Sequence, residues 1–213
     1  MLEVVYSTVT PAVTYDSPLR RRQAADTRSS VVDAARRLFA ANGFPATTIT
    51  DVAREAGVSP QTVYGSFGGK PGLVAALVYL IDRDSEVPAL AARLMQSDDP
   101  REVLELAVRI PRSVVESSGD LLVALTGAAA TDEAAAAALA DGRRRHDTGL
   151  ARATERLAEM GALREGTNTA EAAAVFATLT SDETFALLVH RHGWDLDACE
   201  AWMRETLASL YLR

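Results

Sequence analysis

Apolar side chains recur three and four residues apart along almost the whole chain, which is the spacing of one buried helix face. The first clear helix is predicted over residues 27–41, and Asn42-Gly43 ends it. Its buried stripe consists of Val31, Val32, Ala35, Leu38 and Phe39.

A short second helix follows, with Thr48 as its N-cap. Asp51 stands three residues later, the spacing of a capping box. The apolar stripe of this helix is Ile49, Val52 and Ala53. Gly57 comes next, where a left-handed backbone costs little, so a sharp turn is expected there.

A third short helix begins directly after that turn. Ser59 supplies its cap, and Pro60 takes the first helical position, where a missing N–H does no harm. Val63 and Phe67 are four apart and face inward. The outer face is then left to Pro60, Gln61 and Tyr64, with Thr62 and Ser66 flanking it. Two short helices about a tight turn are the arrangement that reads duplex DNA, because the second helix fits the major groove.

The remaining pattern is helical throughout. Further helices are predicted over about 70–84, 88–95, 100–117 with a kink at Pro111, 119–130, 132–160 with an exposed or irregular middle near Gly142, and 170–179. Thr180 and Glu183 have capping-box spacing, which predicts a restart, and Asp195 or Asp197 caps the last helix. We therefore predict an all-α protein of about nine helices.

Composition supports this fold class and narrows the setting. Nearly half of the residues are apolar and few are aromatic, a mixture that favours packed helices. No apolar run of bilayer-spanning length and no secretory signal are evident. The one cysteine, Cys199, excludes an internal disulfide and suits a reducing cytoplasm, where we expect the protein to act.

Charge is distributed unevenly. The chain carries −7 in total, yet residues 18–75 hold eight basic and four acidic residues, a net +4 that leaves −11 for the rest. A cationic head on an acidic body is oriented toward phosphate. Residues 1–26 are expected to be a flexible leader with a basic arm, formed by Arg20, Arg21 and Arg22. The arm would reach phosphates or the minor groove; the alternative is a solvated tail. The leader's short apolar run, residues 2–6, could instead pack on the body.

The segments RSSVVDAARRLFAANGF, TTITDVAREAGVS and TVYGSFGGKPGLV, over roughly residues 27–75, resemble the TetR family of bacterial transcriptional regulators. A weaker similarity lies in LLVHRHGWDLDACEAWMRETLASLYL. The resemblance implies a three-helix helix-turn-helix DNA-binding domain at 27–72 and a helical effector-binding and dimerisation domain at 73–213. Many relatives have His or Tyr where this chain has Ser66, so a different operator is expected.

The candidate DNA contacts divide by chemistry. The Gln61 amide can pair bidentately with adenine, and Thr62 can contact phosphate or a thymine methyl. By resemblance, Thr48, Tyr64 and Lys70 would hold the DNA backbone. The full set of candidate DNA-binding residues is Thr48, Ser59, Pro60, Gln61, Thr62, Tyr64, Ser66, Lys70, Arg20, Arg21 and Arg22. For each, the alternative is ordinary surface polarity.

The resemblance also implies a homodimer on a palindromic double-stranded DNA operator and a small-molecule effector in the body, with no cofactor and no membrane. The last two helices, about 181–212, would pair with their mate through Phe185, Leu188, Trp202, Leu207 and Leu210. A hydrophobic or amphipathic ligand would sit between helix four and the 170–179 helix, lined by Leu77, Leu104, Leu122, Leu125 and Phe176. The alternative is that these residues simply fill a core.

Two other classes of protein are disfavoured by the sequence. A helical ligand-binding protein without operator binding is disfavoured by the intact reading helix. An enzyme is disfavoured because no catalytic constellation is recognisable: His190 and His192 are two apart and face different ways on a helix, and Cys199 lies in an apolar stripe. Asp182 and Glu183 fit a helix start at the positive end of its dipole better than an acid/base couple.

Overall fold

The computed structural model describes residues 18–84 and 86–213, and their regular structure is helical, with one isolated antiparallel bridge between Leu163 and Leu212. This confirms the all-α prediction. The helices are α1 (Pro18–Asn42), α2 (Ile49–Glu55), α3 (Pro60–Phe67), α4 (Lys70–Asp84), α5 (Val87–Gln96), α6 (Pro100–Ala128), α7 (Glu133–Glu159), α8 (Thr169–Leu179), α9 (Asp182–Ala186) with a π-helical turn (Leu187–Arg191), and α10 (Leu196–Tyr211).

The first helix begins earlier than predicted. α1 starts at Pro18, where proline is pre-set for a helix, and runs through the basic cluster without a break, so the expected start at residue 27 is wrong. The arginines, Gln23 and the two alanines after it are good helix formers, which outweighs the turn propensity of Asp26. The predictions for residues 1–17, and for the side chain of Arg20, fall outside the described residues.

The head, α1 to the start of α4, follows its local signals. Thr48 accepts from Asp51 N at 3.1 Å, and Asp51 Oδ2 accepts from Thr48 N at 3.1 Å, so the predicted capping box is confirmed. Ser59 Oγ accepts from Thr62 N at 3.1 Å and caps α3, also as predicted. Gly57 has φ 69°, the left-handed conformation that the turn requires.

One apolar core joins the head to the body. Inward side chains of α1 to α4, among them Phe39 and Val63, belong to the same buried cluster as Leu121 and Leu125 of α6 and Leu139 of α7. Hence no gap in packing separates residues 27–72 from 73–213, although the two regions differ in charge.

A second core fills the other end of the body. It contains Leu104 and Val108 of α6, Leu157 of α7, and Phe176 and Phe185 of α8 and α9, with the inner face of α10 covering it. Cys199 lies there, fully buried, as predicted. Burial raises the pKa of its thiol. The C-terminal residues dock on the α7–α8 loop, where Arg164 N donates to Tyr211 O at 2.8 Å.

Three helix boundaries differ from the sequence prediction. In α6 the backbone leaves helical angles at Ser118 (φ −143°, ψ 16°) and not at Pro111, so the kink lies at the predicted junction of two segments. Ser118 is followed by Gly119, whose lack of a side chain weakens the helix there. The cap of α9 is Ser181, which accepts from Thr184 N at 3.2 Å, and not Thr180. α7 continues unbroken through Gly142, so its middle is exposed but not irregular. Asp195 caps α10, which agrees with the prediction of Asp195 or Asp197.

A continuous apolar stretch passes through α8, α9 and the π-helical turn. Residues Thr169–Arg191 are long and apolar enough to cross a membrane by length and composition alone, so the expectation that no apolar run has that length is wrong. Asp182 and Glu183 interrupt the stretch midway, and Phe176 and Phe185 are packed in the second core. Val175, Leu179, Leu188 and Val189 are half-buried against the second core, while Leu187 is exposed.

Candidate nucleic-acid interface

α3 is presented as an exposed convex edge of the head. Val63 and Phe67 anchor it from beneath, while Gln61, Tyr64, Gly65 and Ser66 are exposed. The Tyr64 side chain is 56% exposed although it is a large ring on a helix whose other face is buried. Gln61, Tyr64 and Ser66 of the predicted outer face are therefore accessible to a partner.

The polar side chains at the start of α3 serve the helix itself. Ser59 caps Thr62 N, and the Ser59 and Thr62 hydroxyls lie 2.9 Å apart. Thr62 is half-buried, as is Pro60. The hydroxyl that accepts in the Ser59–Thr62 contact can still donate its own proton to a phosphate oxygen. Thr48 is exposed, and its hydroxyl donates to Asp51 Oδ2 at 2.6 Å, which holds the pKa of that carboxyl below its usual range.

Lys70 has an internal partner that sequence reasoning did not anticipate. Its Nζ donates to Phe44 O at 2.7 Å and lies 4.3 Å from the centroid of the Phe44 ring. Partial burial lowers the pKa of Lys70, and the carboxylate of Asp132 opposes that shift. An ammonium carries three donors, so a phosphate contact stays compatible with this clamp between α4 and the α1–α2 loop.

The cations of the head are not all available to DNA. Arg37 pairs with Glu55, Arg54 with Asp51, and Arg36 with Asp120 of α6. The exposed basic residues of the N-terminal arm, Arg21 and Arg22, lie on the helical extension of α1. Net charge alone thus overstates the positive charge of the head that is left outside internal ion pairs.

Glycines form the corner between α3 and α4 and allow the two helices to approach closely. Gly68 adopts φ 71° and ends α3 with its N–H bonded to Tyr64 O. Gly72 approaches the backbone so closely that a Cβ there would lie 1.7 Å from Phe67 O. Any side chain at this position would push α4 away from α3. Backbone contact at this corner thus contributes to the placement of α3 against α4.

The five predicted effector-lining residues lie in two different buried clusters. Leu77, Leu125 and the half-buried Leu122 belong to the core shared by head and body, whereas Leu104 and Phe176 belong to the second core. α7 packs against both α4 and α8, which the prediction had placed on two sides of a pocket. In the described chain these residues are packed in cores, and their role in lining an effector site stays a prediction.

An open groove of about 620 Å³ does border one of them. It lies between the start of α6, the end of α10 and the C-terminal tail. Its floor is formed by Leu104, Ala162, Ala208 and Leu212, and its rim by charged residues that include Arg101, Glu105, Arg204 and Glu205. An apolar floor with a charged rim matches an amphipathic molecule.

The predicted dimer residues fall into two groups. Phe185 and Leu207 are fully buried in their own protomer, so they present nothing to a partner, and that part of the prediction is wrong. Leu188 is half-buried against the second core. Trp202 and Leu210 are exposed, and sequence reasoning missed two exposed neighbours, Leu187 and Trp194.

Two of these side chains meet. The Trp194 and Trp202 rings pack edge to face with centroids 5.9 Å apart. The sequence places Trp194 directly after the helix end at His192-Gly193, but it does not show that the ring would lie at the surface. We refer to Leu187, Trp194, Trp202 and Leu210 as the apolar rear surface.

Two capped helices about a left-handed glycine turn, with a polar and aromatic outer face on the second, define a helix-turn-helix DNA-reading module. Comparisons with known proteins agree. The family model described as "Bacterial regulatory proteins, tetR family" matches residues 31–77. The regulator BetI of Agrobacterium fabrum (strain C58 / ATCC 33970) is 37% identical over 93 residues, which are 44% of this chain and 41% of that protein. This match thus spans less than half of BetI.

Solved structures extend the similarity of fold beyond the head. The SmeT–triclosan complex superposes with a TM-score of 0.71 at 21% identity, over 88% of this chain and 92% of SmeT. FadR of Bacillus subtilis in complex with stearoyl-CoA gives 0.70 at 17% identity, over 85% and 98%. Residues 31–77 therefore resemble the TetR family in sequence, and the fold is similar to that of SmeT and FadR over 88% and 85% of the chain. The curated relatives matched are transcriptional regulators by name and not enzymes.

Proposed function

We propose that this protein is a sequence-specific, DNA-binding transcriptional regulator of the cytoplasm, which represses by occupying a palindromic operator as a homodimer. The observation that carries the proposal is the outer face of α3, where Gln61 and Tyr64 stand exposed on a helix fixed from beneath. A helix of this size fits a major groove, and the Gln61 amide offers the donor and acceptor pair that adenine matches.

The homodimer is supported by the apolar rear surface. Leu187 and Leu210 are 46% and 51% exposed, and Trp194 and Trp202 are also exposed in a single protomer. Exposed large apolar side chains on the last helices of a protomer are suited to a helix-packing interface with a second copy. A two-fold pair would present two copies of α3 to successive major grooves, which requires an inverted repeat in the DNA.

Release by a hydrophobic or amphipathic small molecule completes the proposal. SmeT and FadR, whose folds this chain shares, were solved with triclosan and stearoyl-CoA. In this chain the groove that borders Leu104 offers an open apolar floor, and core residues such as Phe176 would line a site only if helices moved. A ligand acts only if it binds the free and DNA-bound states with different affinity.

A mobility-shift assay at low salt, with duplex from the region upstream of the protein's own coding sequence, tests DNA binding. Two exposed tyrosines give a matched pair: Tyr64 on the outer face of α3 and Tyr79 on α4. We expect Tyr64→Ala to weaken binding about tenfold and Tyr79→Ala to change it less than about twofold, because backbone contacts position the reading helix. Equal effects of the two substitutions would contradict the assignment of α3.

A second pair of measurements separates the rival functions. Gln61→Ala should reduce the preference for the bound duplex over a scrambled one, since a bidentate base pair contributes about 1–3 kcal/mol of discrimination. Triclosan added to the complex should release the duplex if hydrophobic molecules act as effectors. A folded protein that binds triclosan but no duplex would instead be a helical ligand-binding protein without operator binding.

A further inference from the structure

Arg28 holds the far end of α3, and this contact is separate from every DNA contact considered above. Its Nη1 donates to Ser66 O at 2.8 Å, across 38 residues of sequence. The same guanidinium lies over the Phe67 ring, 4.3 Å from the centroid. One side chain of α1 thus engages both the last turn of α3 and the aromatic anchor beneath it.

The last carbonyls of a helix lack partners within the helix. In α3 the carbonyl oxygens of Tyr64, Ser66 and Phe67 have three different neighbours. Tyr64 O accepts from Gly68 N at 2.8 Å within the capping turn. Ser66 O accepts from Arg28. Phe67 O faces the bare Cα of Gly72 in α4. The Arg28 contact is the one of these three that comes from α1, so it fixes α3 against the scaffold of the head.

The chemistry of the contact suits a positioning role. A cation near a helix C-terminus is favoured by the helix dipole, and a planar guanidinium can donate at its edge while stacking with its face. Lysine would supply the positive charge but not the planar group with several N–H donors. A basic residue at this place in α1 resembles a phosphate contact, but here its Nη1 and one face of the guanidinium are engaged by α3.

We propose that Arg28 is a positioning residue for sequence reading: it sets the angle at which α3 enters the groove and does not itself bind DNA. The proposal rests on the proposed DNA-reading function. Loss of Arg28 should therefore reduce discrimination between sequences while leaving general affinity for duplex nearly intact, because backbone contacts and base contacts do different work.

The test compares Arg28→Gln with Arg22→Gln, a matched loss of one cation from the exposed N-terminal part of the same helix. Amide hydrogen exchange of the free protein is measured first, across residues 60–68. Arg28→Gln should speed exchange in the last turn of α3 about tenfold, since a hydrogen bond from a charged donor is lost. Arg22→Gln should leave it unchanged.

Binding to a 30-bp duplex recovered by selection from a random pool is then compared with binding to its scrambled version. Arg28→Gln should lower the ratio of the two affinities about tenfold and change affinity for the scrambled duplex less than about twofold. Arg22→Gln should weaken both duplexes alike and flatten the salt dependence. Arg28→Lys, which keeps the charge and folds readily, should fall between wild type and Arg28→Gln.

The outcomes are separable. Unchanged exchange in α3 together with an unchanged ratio would overturn the positioning role. Equal weakening of both duplexes by Arg28→Gln would also overturn it, because Arg28 would then be a phosphate contact. If wild type binds no duplex, the proposed function fails, while faster exchange in Arg28→Gln still decides that Arg28 holds α3.

Discussion

Replacing Gly72 by alanine is the sharpest test of how α3 and α4 are joined. The added Cβ would lie 1.7 Å from Phe67 O and 2.7 Å from Phe67 C, whereas a carbon–oxygen contact normally requires about 3.3 Å. Both obstructing atoms belong to the backbone, so no side-chain rotation relieves the clash. The corner itself must open by more than 1 Å.

The size of the effect follows from two opposing terms. Overpacking costs about 1–3 kcal/mol, and more where backbone must move, while alanine gains up to about 1 kcal/mol over glycine within a helix. We expect a net loss of about 2 kcal/mol, which lowers the melting temperature of a chain this size by about 4–8 °C. Gly65, in α3, is the matched control, because nothing lies within 4 Å of its added Cβ.

Thermal and urea unfolding of the free protein, followed by circular dichroism, measures both substitutions. Gly65→Ala should leave the melting temperature unchanged or raise it, since the new methyl meets open space. If Gly72→Ala matched Gly65→Ala within error, the close approach of the two helices would be refuted. The same result would remove the basis for saying that backbone contact contributes to the placement of α3 against α4.

Three further predictions concern the body. Burial and the neighbouring Glu183 raise the pKa of Asp182 to about 6, so this group should lower the stability of the fold as pH rises from about 4 to about 6. Asp182→Asn should therefore raise the melting temperature at pH 7.5 and leave it unchanged at pH 4. A gain of equal size at both pH values would contradict the raised pKa. The Arg36–Asp120 ion pair is half-exposed, so a double-mutant cycle in urea should give a coupling below about 1 kcal/mol, and a coupling above 2 kcal/mol would contradict this. The buried Cys199 thiol, whose pKa is raised by burial, should react with a disulfide reagent only after unfolding; rapid reaction in native buffer would contradict its burial.

Local signals predicted most of the head correctly. The Thr48 and Ser59 caps and the Gly57 turn depend on side chains one to three residues away, so the sequence alone contains the whole interaction. The start of α1 was missed because a run of good helix formers after Pro18 carries no apolar stripe, and an apolar stripe is what the periodicity argument detects.

Long-range contacts account for what the sequence could not predict. The internal partner of Lys70 is a carbonyl 26 residues away, and that of Arg28 is 38 residues away. A helical stripe shows that Phe185 and Leu207 are apolar, but not whether the face they occupy meets its own protomer or a second copy. That distinction depends on how α9 and α10 sit against α6, which no local pattern records.

Selection of duplexes from a random pool, at moderate salt and with purified protein, tests the central claim that the exposed face of α3 reads DNA sequence. We predict enrichment of an inverted repeat whose half-site centres lie about one helical turn apart, roughly 10 bp. Gln61→Ala should lose information at one position of each half-site. Recovery of unrelated sequences, from a protein shown to be folded, would contradict the claim.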